Sequence, residues 1–263
     1  MEATVKGSVV LAGAGPGDMD LITVKLMKVL ALAEVIITDR LVNPEIIKNY
    51  ASQRAQIILT GKQGYNEKST SQEDVTSIII QNALMGKRVL RLKGGDVAFF
   101  SNVLDELNAL IKNNIPFSII PGITAASGFS AYAGVPLTAR GFSNTVRFIS
   151  YNPTATQDGS FGVSIRLQPL ETIVCYMAAQ NLKSLVEQCL MEESNPSIPL
   201  AIVEQATTVH QKVHISNIGN AVEQFSSINF SSPSLVIIGE VVSLHQSFRW
   251  FDAGKSGSVF PAL

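Results

Sequence analysis

Three short turns combine glycine with charged or hydroxyl-bearing residues, and each follows a run of apolar residues. They are Gly13 to Asp18, Lys93 to Asp96 and Pro121 to Thr124. Glycine lets a small ligand approach the backbone, while free amides at a helix start and the Thr124 hydroxyl can hold polar groups. Each turn alone could also be an ordinary turn or a helix cap. Their combination indicates a small-molecule site.

The first turn is similar to a dinucleotide-binding loop but departs from it in spacing. The G-x-G-x-x-G fingerprint opens directly into a helix, whereas here the third glycine comes one residue early. Pro16 removes an amide donor, and Asp18 places negative charge where pyrophosphate would lie. Asp39 is at a suitable distance to hold a ribose. The spacing nevertheless argues against a nicotinamide or flavin site.

Histidines and cysteines give no indication of a metal. His210 and His214 would lie about 13 Å apart on a strand, and no third ligand is near in sequence. Cys175 and Cys189 are too few for a disulfide scaffold and lack metal-ligand spacing. We therefore expect no metal site and two reduced, buried thiols.

The composition excludes some classes of partner. Among 263 residues, 20 lysines and arginines stand against 21 aspartates and glutamates, so no global basic field is available to hold nucleic acid. The longest uncharged run, residues 113–139, is interrupted by prolines, glycines and hydroxyls, which argues against a membrane span. The N-terminus lacks the features of a secretory signal. We expect a cytoplasmic protein that binds neither membrane nor nucleic acid.

The hydrophobic pattern predicts an α/β protein of two domains. Residues 8–12, 20–33 and 34–38 form a strand, a helix and a strand, which favours a parallel sheet. The turns described above follow predicted strands, and ligands bind at the carboxyl ends of such strands. A polar stretch after residue 138 suggests a boundary, with domains at 1–138 and 139–263. The second half predicts mixed strands with fewer helices and hairpins at the sheet edge.

A series of short motifs runs along nearly the whole chain. In order, they are GAGPGDMDLIT (13–23), DRLV (39–42), GK (61–62), RLKGGD (91–96), PGITAA (121–126), AYAGVPLT (131–138), YM (176–177), EQATTVHQ (204–211) and GEVV (239–242). Together they resemble the motifs of the tetrapyrrole methylase family, and most closely those of its members that methylate uroporphyrinogen III. The resemblance covers residues 8–251.

The resemblance implies a fold and a cofactor. It implies a parallel-sheet N-terminal domain, a mixed-sheet C-terminal domain and an active site in the cleft between them, usually in a homodimer. S-adenosylmethionine is the implied methyl donor. By motif position, the residues implied to bind it are Pro16, Gly94, Gly95, Asp96, Phe99, Thr124, Ala125, Met177 and Ala206.

The resemblance also implies a reaction, the methylation of uroporphyrinogen III at C2 and C7 to give precorrin-2 for siroheme or cobalamin. It makes Asp39 and Lys62 the acid and base candidates, although both could instead form a surface ion pair. The substrate's eight carboxylates would need a local basic cluster. Candidates for that cluster are Arg40, Lys62, Arg91, Lys93, Arg140 and Arg147.

The chain departs from the family pattern after Asp96. The family continues P-x-x-F-G-R-G-x-E-E, whereas residues 97–106 read VAFFSNVLDE and lack the arginine and both glycines. Thr38 and Ala139 replace a usual tyrosine and histidine. Two alternatives therefore stay open: a methylase of this fold acting on a different substrate such as a later corrin precursor, and a catalytically weak paralogue that binds tetrapyrrole or partners.

Overall fold

The structure is a computed structural model that describes residues 6–60, 71–153, 163–253 and 256–260. The chain divides into two compact units, one of Met1–Ala125 with Ser258–Leu263 and one of Ala126–Gly257. This division lies earlier in the chain than the boundary predicted at 138/139. It places most of the helix that follows the Pro121-Gly122 turn in the second unit.

The first unit is built on a parallel sheet. In chain order its strands are β1 (Ser8–Gly13), β2 (Val35–Asp39), β3 (Gln56–Thr60), β4 (Arg88–Lys93) and β5 (Phe117–Ile120). Their spatial order is β3-β2-β4-β1-β5, and each neighbouring pair is parallel. The predicted parallel sheet is confirmed. The carboxyl ends of its strands therefore lie along one edge.

Helices cover both faces of this sheet. They are α1 (Val24–Leu30), α2 (Pro44–Tyr50), α3 (Gln72–Leu84) and α4 (Val103–Lys112). Side chains of β1 alternate between two cores, as a strand buried on both faces requires. Val9 and Leu11 lie in a cluster with residues of α3 and α4, whereas Ala12 lies in one with residues of α1 and α2. Helix α1 begins later than predicted, because the Thr23 hydroxyl caps it by accepting the Leu26 amide, and it ends at Leu30.

The second unit has a mixed sheet, as predicted. Its strands are β6 (Thr145–Ser150), β7 (Glu171–Tyr176), β8 (Pro199–Glu204), β9 (Lys212–Asn217) and β10 (Ser234–Ile238). The spatial order is β6-β7-β10-β8-β9, and only β6 and β7 run parallel among these strands. Strand β9 is an edge strand that pairs antiparallel with β8. This pairing confirms the hairpin expected at the sheet edge.

Helices of the second unit are α5 (Ala125–Tyr132), α6 (Leu182–Met191), α7 (Ala221–Gln224) and α8 (His245–Phe248). One apolar core joins α6 to the sheet and contains both cysteines. Cys175 and Cys189 are buried free thiols, as expected. Burial raises the pKa of both, to about 12 for Cys189. Such thiols are poor nucleophiles and metal ligands.

Two further features concern the parts of the chain that the structure describes. No helix there combines the length and the apolar character needed to cross a membrane. No group of three or more histidine, cysteine, aspartate or glutamate side chains there could hold a metal ion. His214 instead contacts Glu204, with 2.7 Å between Nε2 and Oε1.

Candidate active site

The three glycine-containing turns interlock at the carboxyl ends of β1, β4 and β5. Strand β1 lies between the other two, so the turns that follow these strands become neighbours. Gly15 and Gly95 exchange two backbone hydrogen bonds, of 3.0 and 2.8 Å. The Ala14 amide also donates to the Lys93 carbonyl at 2.7 Å. The structure thus joins motifs that lie about eighty residues apart in sequence.

Most of these glycines are required by backbone packing. A Cβ on Gly13 would lie 2.4 Å from the Gly95 carbonyl oxygen, and one on Gly122 would lie 2.3 Å from the same atom. A Cβ on Gly94 would lie 2.7 Å from the Leu41 carbonyl oxygen. The backbone and side chain of Leu41 therefore occupy the space that the sequence suggested for a ligand at Gly94.

Gly95 differs from its neighbours. Its φ of +66° favours glycine, and among the described residues an added Cβ would meet the Ala125 amide nitrogen alone, at an ordinary contact distance of 3.8 Å. Thr124 and Ala125, at the start of α5, are half-buried. Gly95 and these two residues thus form a backbone surface that a small ligand could approach.

Asp96 holds two of the turns together. Its Oδ1 accepts the Ala98 amide and its Oδ2 accepts the Gly122 amide, each at 2.7 Å. Both carboxylate oxygens are therefore engaged by backbone donors, and the residue is almost buried. Of the other predicted binding residues nearby, Pro16 is buried, whereas Phe99 is exposed and makes an edge-to-face contact with Phe100.

In the second unit, Met177 follows β7 in an unusual conformation. Its φ is +60° and its side chain is 59% exposed. A left-handed backbone at a non-glycine residue is uncommon and concentrates at ligand sites. The adjacent Tyr176 hydroxyl accepts the Ala126 amide at 3.3 Å, at the first turn of α5. The exposure excludes the core role that methionine usually has.

Ala206 lies in a buried turn between β8 and β9. Gln205 and Thr207 on either side have positive φ values of +49° and +71°. The Gln211 Oε1 accepts the Thr207 amide at 2.8 Å. Gln205 donates from Nε2 to the Gly257 carbonyl, while its buried Oε1 has no hydrogen-bond partner among the described residues. This orphaned acceptor could take a donor from a polar ligand.

Asp39 ends β2 and is held on both carboxylate oxygens. Its Oδ1 accepts the Leu41 amide at 3.0 Å, and its Oδ2 lies 3.5 Å from Nη2 of Arg91. The side chain is still 24% exposed. A fixed but accessible carboxylate can accept a proton from a ligand. Lys62, the other predicted acid or base, lies outside the described residues.

Three of the basic residues considered for substrate carboxylates are already paired within the chain. Arg91 and Lys93 are buried against Glu106, at 3.0 and 3.1 Å. Arg147 makes two hydrogen bonds of 2.9 Å with Glu171. The remaining described candidates are Arg40, which is half-buried, and Arg140, which is exposed.

Burial also lowers the pKa of two of these cations. It lowers the pKa of Lys93, and the nearby Glu106 carboxylate opposes this effect. It lowers the pKa of Arg40 as well, and the charge of Asp39 opposes it there. Both cations therefore lie where a neighbouring anion favours the charged form.

Sequence reasoning missed Glu106. It follows Val103 by three residues and precedes Leu110 by four, so it lies on the buried face of α4. Arg91 and Lys93 are two residues apart on β4 and face the same side of the sheet. A carboxylate on a buried helical face and two cations on one face of a strand could have indicated this buried ion pair from the sequence. Tyr176 and Gln205 lie in the motifs YM and EQATTVHQ, but the sequence did not indicate a role for either side chain.

Comparison with known families gives a consistent result. A sequence model described as Tetrapyrrole (Corrin/Porphyrin) Methylases matches residues 8–222. A siroheme synthase of Thioalkalivibrio sulfidiphilus is 36% identical over 255 residues, which is 96% of this chain and 51% of that protein. One of Vesicomyosocius okutanii is 39% identical over 96% of this chain and 53% of its own. The chain spans about half the length of these relatives.

Solved structures give the same result for the fold. A uroporphyrin-III-C-methyltransferase from Thermus thermophilus aligns with a TM-score of 0.75 and 29% identity, covering 95% of this chain and 99% of that one. A Thermus thermophilus uroporphyrin-III C-methyltransferase complexed with S-adenyl homocysteine aligns with a TM-score of 0.72 and 26% identity, over 90% and 93%. The parallel sheet and the mixed sheet match the fold of these enzymes. The chain belongs to the tetrapyrrole methylase family.

Proposed function

We propose that this chain is an S-adenosylmethionine-dependent C-methyltransferase that converts uroporphyrinogen III to precorrin-2 by methylating C2 and C7. The observation that carries the proposal is the likeness to uroporphyrin-III-C-methyltransferase over nearly the full length of both chains. The siroheme synthases support siroheme as the end product. A homodimer, as the family resemblance implies, is part of the proposal.

Residues of this chain fit S-adenosylmethionine. In the first unit, the backbone at Gly95 allows a close approach. In the second unit, the exposed Met177 offers an apolar surface, and the Gln205 Oε1, which has no hydrogen-bond partner among the described residues, offers an acceptor. The residues proposed to form the cofactor site are Pro16, Gly94, Gly95, Asp96, Phe99, Thr124, Ala125, Met177 and Ala206. Gly94 would act by leaving room for Leu41, and it would not touch the cofactor. Asp96 would act by holding the turns, since backbone amides engage both its oxygens. The bound cofactor would supply an electrophilic methyl group on a sulfonium.

Asp39 would remove the proton that methylation releases. Forming a carbon–carbon bond at a pyrrole carbon leaves the ring system with one surplus proton. The Asp39 carboxylate can accept it, because the Leu41 amide and Arg91 fix its orientation while part of its surface stays accessible. Lys62 would bind a propionate or donate a proton.

A second candidate is a methylase of the same fold that acts on a later corrin precursor. The altered segment 97–106 favours it, because the family arginine is replaced by Asn102, which has a φ of +53° at the start of α4. Retention of AYAGVPLT and EQATTVHQ favours uroporphyrinogen III instead. The substrate therefore has to be tested directly.

The test is an anaerobic incubation of the purified chain with S-adenosylmethionine and each tetrapyrrole, followed by mass spectrometry. We expect two added methyl groups on uroporphyrinogen III. Asp39→Asn should lower kcat by about 100-fold or more while S-adenosylhomocysteine still binds. Asp252→Asn, an exposed aspartate, is the matched control and should keep full activity. Methyl transfer only to a later precursor would favour the second candidate, and cofactor binding without transfer would indicate a weak paralogue.

A further inference from the structure

Four charged side chains converge at the carboxyl ends of β2 and β4. Asp39 ends β2, Arg91 and Lys93 lie on the neighbouring strand β4, and Glu106 lies on α4. Arg91 contacts both carboxylates, Glu106 at 3.0 Å and Asp39 at 3.5 Å. Lys93 contacts Glu106 at 3.1 Å. This set is called the Asp39 network below.

The four charges of the Asp39 network sum to zero, and the negative charge of Asp39 is needed for this balance. Arg91 and Lys93 are each 5% exposed, and Glu106 is fully buried. These three carry one net positive charge in a site where unbalanced charge is costly. The Asp39 carboxylate supplies the missing negative charge. Removing one member should therefore disturb the others.

The geometry of Arg91 transmits the effect of Glu106 to Asp39. Its Nε donates to Glu106, and its Nη1 donates to the carbonyls of Ile37 and Leu92 at 3.4 and 3.2 Å. A guanidinium is a rigid planar fork, so fixing Nε and Nη1 also fixes the direction of Nη2. Nη2 is the atom that faces Asp39. Glu106 thus contacts Arg91, and Arg91 in turn contacts Asp39, the candidate proton acceptor.

We infer that Glu106 and Arg91 are positioning residues that orient the Asp39 carboxylate for proton acceptance. The inference rests on the proposed function and deepens it. Glu106 fixes the plane of the Arg91 guanidinium, and Arg91 together with the Leu41 amide fixes the two oxygens of Asp39. Neither Glu106 nor Arg91 touches the substrate in this account.

A kinetic double-mutant cycle tests the inference. Glu106→Gln keeps the shape of the side chain but removes its charge. We expect kcat to fall about 10- to 100-fold, because small misplacements of a reacting group cost about this much, with KM for S-adenosylmethionine unchanged. In an Asp39→Asn background, Glu106→Gln should cause little further loss. An equal loss in both backgrounds would show that Glu106 does not act through Asp39, and would overturn the inference.

Two further variants control for stability and folding. Glu171→Gln removes the charge from another almost buried carboxylate paired with an arginine, in the second unit. It should lower stability while keeping kcat. Arg91→Lys keeps the charge of Arg91 but lacks the fork. If Glu106→Gln does not fold, Arg91→Lys takes its place in the same cycle, with the same expected dependence on Asp39.

Crystal structures separate this inference from the proposed function. In the wild type, Arg91 should contact both Glu106 and Asp39, and in Glu106→Gln it should turn away from Asp39. An unchanged contact between Arg91 and Asp39 in the variant would contradict the inference. A wild-type chain that transfers no methyl group would overturn the proposed function, whereas the two crystal structures would still decide whether Glu106 orients Asp39.

Discussion

At the scale of single residues, Asp96 and Asp39 show how one residue type can serve two roles. Both follow or end a strand of the parallel sheet. Asp96 accepts two backbone amides at 2.7 Å and is almost buried, so its carboxylate maintains the turns. Asp39 accepts one amide, contacts Arg91 and keeps 24% of its side chain exposed. Exposure therefore distinguishes Asp39, the proposed proton acceptor, from the structural carboxylate of Asp96.

Asp96→Asn should destabilise the protein. The amide group of asparagine would oppose one of the two backbone N–H groups that the carboxylate accepts. Both donors are part-buried, so leaving one of them without its acceptor should cost about 1 kcal/mol in the free energy of unfolding, the low end of the cost for a buried donor. Urea unfolding measures the loss, with exposed Asp252→Asn as the control. Equal stability of the two variants would contradict the structural role of Asp96.

Substitution of two glycines of the turns by alanine should lower the free energy of unfolding by different amounts. In Gly122→Ala the new Cβ would lie 2.3 Å from a backbone oxygen, so the turns must move apart. We expect a loss of about 3 kcal/mol or more, because backbone cannot relax as a side chain does. Gly95→Ala has space but a positive φ, which costs about 1–2 kcal/mol. Urea unfolding of the two variants measures both losses. A larger loss of stability in Gly95→Ala than in Gly122→Ala would contradict the interlocked turns.

Not all residues of the candidate site could be predicted from the sequence. Gly95 and Asp96 stand out as a motif after a strand, and the family resemblance draws attention to Asp39 and Met177. The partners of these residues are set by tertiary structure: Glu106 reaches Arg91 only because α4 packs beside β4. The sequence also could not predict the role of Gly94, because only the fold places Leu41 where a side chain at position 94 would lie.

At the scale of elements, long periodic segments were predictable and isolated short ones were not. The apolar period over residues 182–191 predicts a helix with the bounds of α6, and the apolar runs 34–38 and 88–92 lie within a residue of β2 and β4. The hydrophobic pattern does not predict strand β6, which follows the polar stretch after residue 138 and pairs parallel with β7. Such pairing is non-local, so a window of sequence carries little signal for it.

The pair of Glu204 and His214 should make stability depend on pH at the β8–β9 edge. Burial raises the pKa of Glu204, but hydrogen bonds from His214 and Ser231 outweigh it, so the pKa lies below its ordinary value. Because the pKa of Glu204 is lower in the folded chain than in the unfolded chain, its ionised form stabilises the fold at pH values above the unfolded-state pKa. This stabilisation is lost as the pH falls through the folded-state pKa.

Glu204→Gln is the matching variant. It should lower the free energy of unfolding by about 1–3 kcal/mol near pH 7, because His214 and the Ser231 amide lose a charged acceptor. The difference from wild type should shrink as pH falls below 4.5, the ordinary pKa of a glutamate, and through the lower pKa of folded Glu204. Urea unfolding at several pH values measures this. A difference that stayed constant from pH 7 to pH 3 would contradict the assignment.

At the scale of the whole molecule, the two sheets explain why a modest sequence likeness is sufficient to identify the fold. A parallel sheet covered by helices and a mixed sheet with its own core are both specified by buried apolar runs. The segments that differ from the family, such as 97–106, lie outside these strands. They should therefore change substrate choice or rate before they change the fold.

S-adenosylhomocysteine should stabilise the whole chain. A ligand that binds only the native state adds about 2.7 kcal/mol at one hundred times its Kd, which raises Tm by about 5–10 °C in a chain of this size. Met177→Ala should weaken binding about tenfold, through loss of its apolar contact. Met191→Ala, which removes another exposed methionine, is the control. No shift of Tm with wild type, or equal effects of the two variants, would contradict the proposed cofactor residues.

The position of the transferred carbon tests the proposed methyl transfer. The chain would be incubated without oxygen with uroporphyrinogen III and S-adenosylmethionine that carries a ¹³C-labelled methyl group, and the product examined by NMR. We expect two labelled methyl groups, one on C2 and one on C7. Label at any other position, or no label in the tetrapyrrole while S-adenosylhomocysteine binds, would contradict the proposal.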